Sequence, residues 1–195
     1  MSFIAPISSL HAVGISSSPG GAASKSRLLL DRALERFDEL GIATVRIDLA
    51  ELPAEALLGR ARDAALQRAL AATAAARIVL AATPIYRATY SGLLKVFFDL
   101  LPHGALASAI GIPIATGGSP AHQLAIDHGL RPLFASLGAV VVPTSVYGTD
   151  AQFADGEPDA TLLDRLDRAV AESIALGVGA GAAVEPWAAE RQVAS

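Results

Sequence analysis

Five short runs rich in apolar and β-branched residues, 11–16, 42–48, 77–83, 110–116 and 139–146, alternate with stretches of helical periodicity near 24–40, 61–76, 90–101, 120–136 and 159–176. Strands that are apolar on both faces need cover on both faces. A chain that passes through a helix between successive strands lays those strands parallel. The rhythm therefore predicts an α/β chain whose parallel sheet is wound on both sides by helices.

Two strand orders dominate such sheets. The dinucleotide-binding order usually has a sixth strand and opens with G-x-G-x-x-G. Near the first loop the only glycines are Gly14, Gly20 and Gly21, so that fingerprint is missing, and the five-stranded flavodoxin-like order 2-1-3-4-5 is expected instead. With 195 residues the chain suffices for one sizeable core and is short for two. We expect one domain over 1–176 and a flexible tail over 177–195, where "GVGAGAAVEPWAAERQVAS" has no clear period.

Composition removes several functions. A net charge of −4 with 17% charged residues gives no polyanion-binding surface, so nucleic acid is not an expected partner. No run approaches the roughly 20 apolar residues of a membrane span, and "MSFIAPISSLHAV" lacks the basic start of a signal peptide. A cytoplasmic protein without membrane contact is expected. With no cysteine there is no disulfide or thiolate nucleophile. The four histidines show no metal-ligand spacing and no G-x-S-x-G elbow occurs, so neither a metal nor a catalytic triad is expected.

Ligands of doubly wound sheets bind beyond the carboxyl ends of the strands, and three loops there are chemically unusual. The first, "ISSSPGGAASKSRLLLDRAL" at 15–34, feeds hydroxyls into a helix start. A Walker-type loop would need Gly at positions 19 and 24, which are Pro19 and Ser24. An anion held by backbone N–H groups and the positive helix end still fits, and so does a plain turn with N-capping serines. The second, "TPIYRATYSG" at 83–92, has Pro84 followed by N–H groups of Ile85, Tyr86 and Arg87 that can face a ligand edge. The third, "ATGGSPAH" at 115–122, pairs Gly117 and Gly118 before Ser119-Pro120, so that the backbone can approach a flat molecule. A phosphate carried on a planar heterocycle suits all three, and flavin mononucleotide is such a molecule.

The segments "SPGGAASKS", "TPIYRATYSGLLKVFFDLLP" and "IPIATGGSPAHQLAIDHGLRPLFASLGA" resemble the NAD(P)H-dependent FMN reductases of two-component alkanesulfonate and methanesulfonate monooxygenase systems, over roughly residues 11–175. By that resemblance the FMN phosphate lies at Ser18, Ser24, Lys25 and Ser26. Pro84, Ile85, Tyr86 and Arg87, with Thr116, Gly117, Gly118 and Ser119, border the isoalloxazine ring. The family moves hydride from the nicotinamide of NADH or NADPH to FMN and passes reduced FMN to a flavin-dependent monooxygenase in sulfur metabolism. Its members are dimers and tetramers. Where relatives often place a basic residue after the Ser-Pro pair, this chain has Gly20-Gly21, which leaves phosphate neutralisation to Lys25 and backbone N–H groups.

Along the fourth helix, Leu130, Leu133, Phe134 and Leu137 keep helical spacing while Leu124 falls out of phase. Pro132 cannot donate to the carbonyl of His128, so a kink or π-bulge is expected over 126–132. In the resembled family an inserted residue here makes a π-helix at the subunit interface, Tyr in the alkanesulfonate type and His in the methanesulfonate type, and His128 is similar to the latter. A surface histidine on a Pro-kinked helix is the plain alternative. Asp48 is expected to cap a strand end, and Lys95 and Asp99 to form an i,i+4 pair. Rival functions are a quinone or azo-dye reductase that retains FMN, a non-enzymatic flavodoxin-type electron carrier, and a regulatory domain without cofactor.

Overall fold

A computed structural model of the chain describes residues 10–179. Its sheet contains β1 (His11–Ser16), β2 (Ala43–Asp48), β3 (Ile78–Tyr86), β4 (Ile110–Gly117) and β5, which comes in two pieces, Val140–Val141 and Val146–Thr149. All pair in parallel, in the order 2-1-3-4-5. A two-residue strand, Thr89–Tyr90, adds antiparallel to the end of β3, bringing the sheet to seven segments. The expected flavodoxin-like order is the observed one.

Around the sheet lie α1 (Lys25–Glu39), α2 (Ala54–Leu57), α3 (Ala64–Ala75), α4 (Gly92–Asp99), α5 (Arg131–Ser136) and α6 (Ala160–Gly179). β3 is central, and Ile78, Val79, Leu80, Ala81 and Ala82 are all fully buried. Its side chains alternate between two cores, and over 78–82 neither face carries a polar residue. On one face Leu29, Leu30, Leu34 and Phe37 of α1 and Leu162, Leu166 and Val170 of α6 pack on Ile78, Leu80 and Ile112. On the other, Leu66, Leu94, Phe97, Phe98 and Phe134 pack on Val13, Ile15 and Val79. Phe98 meets Phe134 edge-to-face at 5.6 Å between ring centres, a geometry that adds roughly 0.5–1.5 kcal/mol to area burial. A Cβ on Gly14 would lie 2.9 Å from the methyls of both Leu30 and Leu34, so the bare glycine is what lets α1 sit down on β1.

Several boundaries differ from the sequence expectation. The third strand continues through Pro84 to Tyr86 rather than stopping at 83, because Pro84 pairs with Thr116 at the last parallel position. The run 139–146 is not one strand. Between its pieces the chain bulges at Pro143, which lacks a donor, and side chains take over the bonding. Arg131 donates to the carbonyls of Val142 at 2.8 Å and Pro143 at 2.6 Å and to Ser145 Oγ at 2.6 Å. From α6, Glu172 accepts from the N–H and hydroxyl of Thr144 at 2.8 and 2.7 Å.

The helix expected over 120–136 is also divided. A short 3-10 turn at Pro120–His122 leads to a five-residue π-helix, Ile126–Leu130, and only then to α5. The irregularity falls where the apolar phase breaks, and Leu124, ahead of it, is 59% exposed. α6 runs on to Gly179, so residues 177–179 are helical rather than the start of a tail. The rest of the tail, 180–195, lies outside the described residues.

Candidate functional site

Three loops converge at the carboxyl ends of β1, β3 and β4, joined by the turn after β5. The first is bound in place by buried serines. Ser17 donates from N–H and Oγ to the Ala82 carbonyl at 3.0 and 2.9 Å, and Ser91 Oγ donates to the Ser17 carbonyl at 2.8 Å. That same Ser91 hydroxyl accepts from Leu94 N–H at 3.2 Å and so caps α4. One hydroxyl thereby ties the loop after β1 to the helix after β3. Ser17 and Ser91 are both buried, and a satisfied network in so dry a place rigidifies the loop.

Ser16 ends β1 and is fully buried, yet its hydroxyl has no hydrogen-bond partner among the described residues. A buried hydroxyl left open costs roughly 1–3 kcal/mol. Nearby, α1 begins without a side-chain cap. The other helices of eight residues or more are all capped, α3 by Asp63 at 2.9 Å, α4 by Ser91 and α6 by Asp159 at 2.7 Å. The first turn of α1 thus keeps its N–H groups open where the dipole is positive. This combination of an orphan hydroxyl and open amides suits a phosphate.

The predicted phosphate residues are brought together but are not all free. Ser18 is buried, and its Oγ accepts from Gly20 N–H at 3.2 Å. The hydroxyls of Ser24 and Ser26 bond each other at 2.9 Å. Lys25 reaches the Asp150 carboxylate at 2.7 Å and stands 5.3 Å from the centre of the Phe153 ring. Arg27, one turn in, is held by buried Asp48 at 2.5 Å. Asp48 also accepts from Ala50 N–H at 3.0 Å, the strand-end capping expected of it.

The second loop is a tight hairpin rather than an open loop. Arg87 and Ala88 both have positive φ, +50° and +68°, and Ile85↔Tyr90 and Tyr86↔Thr89 pair across them. Because alternate antiparallel pairs exchange their bonds, the pair beside a two-residue turn spends the Tyr86 N–H and aims that of Ile85 away from the hairpin. Of the three amides expected to face a ligand, that of Tyr86 is therefore consumed by the fold. Its side chain instead is 51% exposed. The hairpin leans on the π-helix, since a Cβ on Gly129 would lie 2.8 Å from Thr89 Oγ1 and 3.1 Å from the Tyr90 ring. His128 beside it is exposed.

In the third loop Thr116 is buried and Ser119 caps the following turn through Ala121 N–H at 3.2 Å. The space beside Gly117 is taken by protein. Tyr147 from β5 places its hydroxyl where a Cβ of Gly117 would come within 2.5 Å, and that hydroxyl donates to the Ser119 carbonyl at 2.6 Å. Burial, then the charge of Asp150, pushes the Tyr147 phenol above its ordinary value. A cavity of about 280 Å³ opens beside it, lined by Pro120, Gln123, Thr149, Gln152 and Arg165. Larger hollows lie at Arg62–Gln67 and between α1 and α6, away from the convergent polar groups.

Sequence reading missed Ser16, Ser17, Ser91, Tyr147 and Asp150. Ser91-Gly92 at a helix start was a usable sign for one of them, whereas Ser17, Tyr147 and Asp150 act through contacts that span 28 to 125 residues and Ser16 is marked only by the absence of a partner among the described residues. Among the described residues, no three of His, Asp or Glu come together in a way that could hold a metal ion, and no helix is long and apolar enough to cross a membrane.

The chain is similar to known proteins. The family described as NADPH-dependent FMN reductase matches residues 10–154. The chain is 36% identical over 165 residues to an FMN reductase (NADPH) of Pseudomonas putida, covering 83% of each protein. It is 42% identical over 142 residues to the NADH-dependent FMN reductase SfnF of Pseudomonas fluorescens, covering 70% of this chain and 76% of that one. Among solved structures it is similar to the apo form of the NADH:FMN oxidoreductase EMOB, with a TM-score of 0.75 and 37% identity over 91% of this chain and 92% of the other.

Proposed function

The chain belongs to the NADPH-dependent FMN reductase family, and on that premise we propose that it reduces FMN with NADH or NADPH and releases the product to a separate flavin-dependent monooxygenase of the sulfonate type. The observation that carries the site is the orphan Ser16 hydroxyl beside the uncapped start of α1. In our reading the FMN phosphate is held there, by Ser16, Ser18, Ser24, Ser26, Lys25 and the first amides of the helix. Pro84, Ile85, Tyr86 and Arg87 on one side and Thr116, Gly117, Gly118 and Ser119 on the other border the ring. FMN, when bound, supplies the acceptor for the hydride of a nicotinamide.

The protein's part is to position and to hold. Pro84 and Thr116 are paired on adjacent strands, so the two loops that border the ring share one rigid base. The side chains contribute little net positive charge, because Lys25 and Arg27 face Asp150, Asp48 and Asp31. Weak phosphate neutralisation suits a reductase whose product must leave. The relative SfnF is an NADH-dependent FMN reductase, which supports FMN as the acceptor. We assign His128 and the exposed Leu124, at and before the π-helix, to a contact between subunits of a dimer or tetramer.

Anaerobic stopped-flow with each nicotinamide, with and without free FMN, tests the reading. The expected result is flavin-free protein whose NAD(P)H oxidation saturates with added FMN. Stoichiometric FMN that survives dialysis, with a rate indifferent to free FMN, overturns release and leaves a flavin-retaining quinone or azo-dye reductase.

A further inference from the structure

Asp150 opens the short turn after β5, and its carboxylate meets the site from three directions. Oδ1 accepts from Lys25 Nζ at 2.7 Å across 125 residues of sequence. Oδ2 lies 3.4 Å from where a Cβ of Gly118 would stand. Its charge also acts on Tyr147, the residue that closes the space over Gly117. A carboxylate so placed is an odd neighbour for an anion site, because it shares the only lysine there and repels whatever negative group arrives.

We propose that Asp150 is a built-in competitor of the flavin phosphate: it holds Lys25 while the site is free of flavin, must surrender it on binding, and takes it back on release. This rests on the phosphate reading given above. With side chains 38% and 65% exposed, the pair sits in high dielectric, so the exchange is shallow and fast rather than a lock. The contribution is screened by salt. Only a phosphorylated flavin feels it, since riboflavin presents no anion to compete. Asp150 is thus a positioning residue that tunes retention through Lys25 and does not touch the reacting ring.

FMN and riboflavin titrations of the parent chain, Asp150→Asn, Asp150→Glu, Lys25→Met and Lys25→Met/Asp150→Asn, at low and high salt, test this. Asp150→Asn is expected to tighten FMN about three- to tenfold at low salt and less at high salt, with riboflavin affinity unchanged. Asp150→Glu should stay near the parent, and the gain should shrink in the Lys25→Met background. An equal shift for both flavins, or no shift, overturns the competition. FMN binding that Lys25→Met does not weaken removes the phosphate assignment itself and this proposal with it. Weakened binding by Lys25→Met beside an unchanged Asp150→Asn removes only the role of Asp150.

Discussion

Gly117 and Tyr147 share one small volume: a methyl on the glycine would come 2.5 Å from the tyrosine hydroxyl, which donates to the Ser119 carbonyl at 2.6 Å. The loop after β4 is therefore shaped by a side chain from β5 as much as by anything it binds. Gly117→Ala is expected to swing Tyr147 out and lose that bond, at a cost of about 1–3 kcal/mol in urea unfolding. Combining it with Tyr147→Phe should cost less than the sum of the single changes, because both remove the same bond. Strict additivity would show that the two residues do not interact.

Tyr147 also gives a pH signature. Its folded pKa is raised above the ordinary 10.0, by burial first and by Asp150 second. The neutral phenol is thus favoured in the fold. Its stabilisation is fully present below pH about 10 and is lost as pH rises through the higher folded value. Urea midpoints between pH 8 and 11 should fall for the parent and fall less for Tyr147→Phe. Parallel curves would count against the shift.

Ala88 at +68° sits in a left-handed conformation that costs an L-residue roughly 1–2 kcal/mol. Glycine escapes that cost but gives back part of it as unfolded-chain entropy. Ala88→Gly should stabilise by about 0.5–1 kcal/mol, seen as a raised midpoint in thermal unfolding. A lowered midpoint would mean that the Ala88 methyl makes a contact worth more than the strain.

Arg131 clamps the break in β5 through three acceptors. Arg131→Ala should cost about 2–3 kcal/mol, because the buried Val142 carbonyl loses its charged donor. Arg131→Lys should recover only part, having a single ammonium in place of a fork. Hydrogen exchange should accelerate first at Val141 and Val146.

Ser91→Ala removes both the cap of α4 and the tie to the Ser17 carbonyl. A loss of about 1–3 kcal/mol is expected, together with faster amide exchange at Ser17 and Ser18. A stability loss with unchanged exchange there would confine Ser91 to capping.

The strand order was legible because the apolar runs of β1, β3 and β4 required cover on both faces, and the missing glycine fingerprint chose between the two orders. The π-helix was legible as well, since Leu124 and Leu130 cannot share one α-helical face and Pro132 removes a donor. Less visible was the pairing of distant polar groups. Nothing in Lys25 announces Asp150, and nothing in "TGG" announces Tyr147, because such contacts arise only once the sheet has assembled and brought the loops after β1, β4 and β5 together. The hairpin at Arg87-Ala88 was hidden for another reason: it lacks the Asn-Gly chemistry that marks such turns.

The interruption of β5 also bears on how copies of this chain meet. An outer strand presents unpaired amides and carbonyls, a template on which another chain can add itself. Here only Val140–Val141 and Val146–Thr149 are regular, and the segment between them is occupied by Arg131 and Glu172, so a foreign strand finds no continuous ladder although Val140 is 54% exposed. On the far edge β2 carries Arg46, engaged with Asp31 at 3.1 Å. With one border broken and the other carrying a charged side chain, neither edge among the described residues offers the continuous flat ladder that strand addition needs.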